Sequence, residues 1–233
     1  MARPSYNEAV RHLPKRRITD ADSFEERSQH NVVTIREHRA VVEFARTLST
    51  IFNPFLSATT LFIIVARAYS SNIREFWELS FAGLLFFTIA PVLCIFYLYL
   101  SGRISDFDMS DRAERRRGFI GFVVTYLIAA VFLTLVHAPV QLIALTWGYL
   151  GATVVIMFVT RWWKISTHAF GITGPFAVMF LLFNLQPLPY VAIVPLVWWA
   201  RIYLRSHTLA QVLGGAALAV VSVLFFFKLF RLI

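Results

Sequence analysis

An all-α bundle of membrane-crossing helices is the fold class this sequence predicts, and three observations lead to it. Apolar residues fill 58% of 233 positions and charged residues only 15%, with a mean hydropathy of +0.65. A soluble domain sits near 45–50% apolar and about 25% charged. The apolar residues gather into runs of about 18 or more, long enough to cross a hydrocarbon core roughly 30 Å thick. None of these runs has the ten-residue alternation of a membrane barrel. Helices are then the structures that satisfy the backbone inside lipid.

Taken in order, residues 1–42 are polar and mixed in charge, with the basic cluster Lys15, Arg16 and Arg17. They read as a cytosolic tail ahead of a transmembrane helical domain over 43–233. No apolar h-region lies in the first forty residues, so a cleavable signal peptide is not expected. The first apolar run covers about 44–68 and is interrupted by Arg46 and Pro54. Further runs follow at about 79–100, 119–137, 141–160, 169–185 and 188–200, and the last extends from the segment around His207 to about 227. This predicts seven helices, or six if the interrupted first run does not span. Cys94 is the lone cysteine, which excludes a disulfide within the chain.

The net charge of +9 does not point to nucleic acid, because the basic residues lie in the tail and the loops between apolar runs. The loops after the second, fourth and sixth helices carry Arg103, Arg112, Arg115, Arg116, Arg117, Arg161, Lys164, Arg201 and Arg205. The opposite connections hold little beyond Arg74, although Lys228 and Arg231 near the C-terminus count the other way. An excess of Lys and Arg marks the cytoplasmic side, so these loops and the N-terminus are expected there, facing anionic headgroups. Trp162, Trp163, Trp198 and Trp199 read as an interfacial belt, and Gly214 and Gly215 as a place where helices approach closely. Asp106 and Asp108 lack a further acidic cluster and read as partners of nearby arginines, so no metal and no cofactor are expected.

Those three loops hold the candidate chemistry. Arginine and lysine beside a bilayer are costly unless solvated, paired or bound to a ligand. His168 and His207 stand at the ends of apolar runs, near Lys164 and Arg201. A phosphate ester needs fixed donors for its oxygens, a nucleophile and an acid for the leaving group. Arginine supplies bidentate recognition of such oxygens.

The stretch Arg201-Ile-Tyr-Leu-Arg-Ser-His207-Thr-Leu-Ala-Gln211-Val-Leu-Gly-Gly215 resembles the third signature of the type-2 phosphatidic-acid phosphatase superfamily. That signature runs Ser-Arg, five residues, His, three residues, Asp. Ser166-Thr-His168 resembles the second signature, Pro-Ser-Gly-His. For the first signature, Lys, six residues, Arg-Pro, Arg103 stands for the lysine and one of Arg112, Arg115, Arg116 or Arg117 for the arginine. Its spacing is not kept and no proline follows. The resemblance covers about residues 100–220.

The resemblance implies a metal-independent phosphatase acting on a lipid phosphate or polyprenyl diphosphate. His207 would be the nucleophile that becomes a phosphohistidine, and His168 the general acid. Arg201, Ser166, Lys164, Arg103 and Arg116 would hold the phosphoryl oxygens. The chief departure is Gln211 in the place of the family's Asp. Residues four apart share a helix face, so the Gln211 oxygen can accept from the His207 ring, but it is neutral and its amide can flip. In serine hydrolases the comparable carboxylate-to-amide change costs roughly 10⁴-fold. The same departure, with the poor first motif, motivates the alternative of a catalytically inactive subunit of a larger membrane complex; as partners, a homo-oligomer or a membrane complex both stay open. A transporter is the weaker alternative, since no pair of broken helices recurs in two halves.

Overall fold

The computed structural model describes residues 39–107, 109 and 111–233. Lys15, Arg16, Arg17, Asp108 and the side chain of Arg112 lie outside the described residues. Apart from the start of the first helix, everything below concerns the compact unit Ala45–Ile233.

Eight α-helices, and no strand, occur among the described residues. Helix α1 (Arg39–Ile51) meets α2 (Pro54–Tyr69) at a bend of 47°. The bend has a local cause. The Asn53 side chain accepts from the Phe55 and Leu56 amides at 3.0 and 2.9 Å, and Pro54 occupies the first helical position, where its missing N–H costs nothing. The apolar run expected at 44–68 is therefore two helices meeting at an elbow.

Helix α3 (Ile73–Leu100) starts from an Asn72 cap and widens into a π-turn at Leu85–Ile89. Pro91, just beyond, cannot donate into the helical ladder, and the wider turn absorbs that interruption. Helix α4 (Arg112–Leu135) begins earlier than its apolar run at 119, because the Asp111 carboxylate caps the Ala113 and Glu114 amides. Arg112 to Arg117 are thus helical rather than loop. Helices α5 (Val140–Val159), α6 (Thr167–Phe183), α7 (Ile193–Tyr203) and α8 (Leu209–Leu229) follow. Helix α8 packs on α5, α6 and α7, while α2 packs on α6 and on the first part of α3.

Helices α3, α4, α5 and α8 are each long and apolar enough to cross a membrane, and the bent α1–α2 pair makes a fifth if taken as one span. Helix α6, at 17 residues, and α7, at 11, are shorter. Six or seven full spans are therefore not reached on length and composition. The sixth run, for example, is divided between a 3₁₀ turn at Leu188–Tyr190 and the brief α7.

The outward faces match a lipid solvent. On α4, Ile120, Val124, Leu127, Ile128 and Val131 are exposed along one stripe, while Phe119, Phe122, Tyr126, Ala130 and Leu133 are buried on the other. An apolar stripe of that length is a liability in water and an asset in hydrocarbon.

Candidate functional site

The three basic segments, distant in sequence, meet at one set of helix ends. From the first turns of α4, the Arg115 Nη1 donates to the Ile165 carbonyl at 3.2 Å and its Nε to the Met109 carbonyl at 3.3 Å. The Ser166 amide donates to the Gln211 carbonyl at 3.1 Å, joining the α5–α6 loop to the first turn of α8. Gly215 lets this happen: a Cβ there would collide with the Ser166 carbonyl oxygen, and one on Gly214 would meet the Trp163 ring.

A cavity of about 690 Å³ opens among these ends. Its polar lining includes Arg46, Ser49, Asn53, Arg115, His168 and Arg201, toward helix termini, and Thr153 within α5. Phe55, Ile95, Phe122, Phe170, Tyr126 and Tyr149 extend the lining further along the same helices. Tyr126 lies eleven residues beyond Arg115 on α4, roughly 16 Å along the axis at 1.5 Å per residue. The chamber is thus amphipathic, cationic at the helix ends and aromatic within.

Helix α6 starts at the cavity wall. The Ser166 hydroxyl caps it by accepting from the Ala169 amide at 3.3 Å. Thr167 and His168 of the first turn line the cavity, so the amides and positive dipole end of α6 add to its anion-attracting character.

His207 follows the turn that ends α7. Leu204, Arg205 and Ser206 donate back to the carbonyls of Ala200, Ile202 and Arg201 at 3.0, 2.9 and 3.1 Å. This is a Schellman closure with Arg205 in the left-handed region at φ 52°. The His207 ring is buried, and its Nδ1 lies 3.2 Å from the Gln211 Oε1. That same oxygen accepts from the Thr208 amide at 3.1 Å, and the Thr208 hydroxyl accepts from the Gln211 amide at 3.3 Å. The pair is a capping box for α8.

This double use removes the ambiguity of an amide. A backbone N–H only donates, so the atom facing Thr208 must be the Gln211 oxygen rather than its nitrogen. An oxygen in that place accepts from Nδ1, which therefore carries the ring proton in the neutral imidazole. The Nε2 lone pair is left over. It is enclosed and has no hydrogen-bond partner among the described residues. Burial, reinforced by the charges of Arg115 and Arg201 and partly offset by the Gln211 bond, holds the ring down to about 3, so it stays neutral at ordinary pH.

Each expected site residue now has a place. Arg201 is buried and lines the cavity with His168. His168 in turn feels the charges of Arg201, His207 and Arg115. His207 and Gln211 are not among the lining residues, whereas Ser206, next to His207 in the chain, is. Lys164 is half-buried and acts electrostatically on His207. Ser166 is fully buried and its hydroxyl is committed to capping, so it does not line the cavity.

Two further expected residues lie away from the cavity lining. Arg116 is exposed, whereas Arg115, one residue and about 100° around α4, faces the cavity. Arg103 is exposed as well. Its guanidinium sits 5.8 Å from the Tyr97 ring centroid, and its carbonyl accepts from the Arg117 Nη1 at 2.6 Å. Sequence reasoning also missed the elbow residues Ser49 and Asn53. The signal available was Arg46, an arginine inside an apolar run, which calls for a polar partner or cavity.

No protein-family model, curated protein or solved structure matches the chain.

Proposed function

We propose that this chain is a membrane lipid phosphatase, divergent within the type-2 phosphatidic-acid phosphatase superfamily, that hydrolyses a lipid phosphate or polyprenyl diphosphate through a phosphohistidine. One observation carries the reading. A buried histidine has its Nδ1 proton fixed by an amide oxygen and its Nε2 left without a partner, within the electrostatic reach of the Arg115 and Arg201 guanidinium groups. The aromatic extension of the cavity supports an amphiphilic substrate, with the headgroup at the helix ends and the chain within.

In this mechanism Arg115 and Arg201 draw the phosphoryl oxygens to the cationic end of the cavity. The Nε2 lone pair attacks phosphorus while the bond to the leaving oxygen breaks, and His168 delivers a proton to that oxygen. His168 then takes a proton from water, whose oxygen attacks phosphorus. The N–P bond breaks, and phosphate and the neutral ring are released. Gln211 supports the imidazolium side of this cycle only through its dipole. We read α6 and α7 as crossing the bilayer inside the bundle despite their length, which gives seven spans with the elbow pair counted as one. The loop charge bias supports a site and an N-terminus on the cytoplasmic side.

The purified protein in detergent, without added metal, is expected to release phosphate from dioleoyl phosphatidate, phosphatidylglycerol phosphate or farnesyl diphosphate. His207→Ala is expected to lower turnover by at least about a thousandfold, as loss of a covalent nucleophile does. Equal activity of this variant, or no turnover of any of the three by the parent, rejects the proposal. The enclosure of Nε2 favours a second reading, a non-catalytic subunit that keeps the fold. Such a chain would purify in fixed stoichiometry with other membrane proteins, and Gln211→Asp would create no activity.

A further inference from the structure

The elbow between α1 and α2 lies outside the region that resembles any phosphatase signature, yet it forms one wall of the cavity. Ser49, Asn53 and Arg46 all line it. Ser49 is buried, and its hydroxyl accepts from the Arg201 Nη1 at 3.3 Å across 152 residues of sequence. The backbone of the same residue interacts with the His168 ring. Ser49 therefore interacts with both the Arg201 guanidinium and the cavity-lining His168. Its position is set by packing. A Cβ on Gly171 of α6 would lie 2.6 Å from the Pro54 Cβ, so the elbow is pressed directly onto the helix that presents His168.

A guanidinium is a planar fork, and its affinity for an oxyanion depends on the direction in which that fork points. Arg201 sits on the last turn of the short α7, and its side chain has several torsions to fix. We propose that Ser49 is a positioning residue that aims Arg201 into the anion site of the cavity. The elbow is thereby a fourth wall of the site, in addition to the three basic segments. This rests on the anion-binding part of the reading above and does not require turnover.

The experiment measures binding of inorganic phosphate to the full chain in detergent by isothermal titration, for the parent, Ser49→Ala and Ser49→Thr, with melting temperatures recorded in the absence of phosphate. Loss of a hydrogen bond to a charged group is expected to weaken phosphate binding roughly tenfold in Ser49→Ala. Ser49→Thr, which keeps the hydroxyl, is expected to stay within about threefold of the parent. The phosphate-free melting temperatures of all three should be close. Turnover of a short-chain phosphatidate, where measurable, should show the Ser49→Ala defect in KM more than in kcat.

Unchanged phosphate affinity in Ser49→Ala overturns the inference. A melting temperature that falls in Ser49→Ala together with affinity, with no rescue by threonine, also overturns it by reducing Ser49 to a structural role. A parent that binds phosphate in a Ser49-dependent way but turns over no lipid leaves this inference standing and rejects the phosphatase. A parent that binds no phosphate rejects both.

Discussion

Replacing Gln211 by Glu tests the geometry of the His207 site without reference to any substrate. The Gln211 Oε1 lies 3.2 Å from the ring Nδ1, and glutamate preserves the shape while adding a charge. A unit pair at about 4 Å in an effective dielectric near 20 is worth about 4 kcal/mol. The Gln211 side chain is only partly buried, so solvent screening reduces this to roughly 2 kcal/mol. Since 1.4 kcal/mol is tenfold, the proton affinity of His207 is expected to rise about thirtyfold.

The sign in the parent is set by a folded-state value of about 3, below the ordinary histidine value near 6.5. The neutral ring therefore contributes stability that is fully present above about pH 6.5 and is lost as pH falls toward about 3. In Gln211→Glu that window narrows from its acid end, and acid destabilisation weakens. The assay is a pH titration of histidine-labelled protein by nitrogen-15 NMR in detergent, with His207→Asn identifying the resonance. A proton affinity that stays level or falls in Gln211→Glu would refute the Nδ1–Oε1 contact and the tautomer derived from it.

Three further outcomes follow from the same packing. Arg115→Ala should weaken phosphate binding at least tenfold, whereas Arg116→Ala should stay within about twofold, because only the former faces the cavity; calorimetry on the pair decides it. Gly215→Ala should destabilise by about 2 kcal/mol rather than gain the usual helix propensity, since the added Cβ meets the Ser166 carbonyl. Its phosphate affinity should fall with its melting temperature. Arg205→Gly should stabilise by about 0.5–1 kcal/mol, because a side chain at φ 52° carries a steric cost that glycine lacks. Thermal unfolding in detergent measures both.

Much of the architecture was legible in one dimension because lipid imposes a length and a composition on any helix that crosses it. The long apolar runs that became α4, α5 and α8 needed no tertiary information. The third basic segment was readable for a similar reason: His207 and Gln211 are four residues apart, so local helix geometry alone brings them together. The tautomer was not legible, since it depends on the Thr208 amide claiming the same oxygen through a capping box.

Boundaries and faces were decided by caps and packing. Asp111 drew the charged Arg112–Arg117 stretch into α4, and helical rotation then turned Arg115 inward and Arg116 outward. With four arginines in six positions, no sequence pattern distinguishes which one faces a cavity. The contribution of Ser49 was beyond reach altogether, because its bond to Arg201 closes across 152 residues and arises from the seat of the elbow on Gly171. Composition and local periodicity thus determined a helical chain with several helices long and apolar enough to cross a membrane, and with basic, histidine-bearing helix ends. Which of those side chains share one cavity was decided by helix–helix packing, whose contacts join residues that have no relationship along the chain.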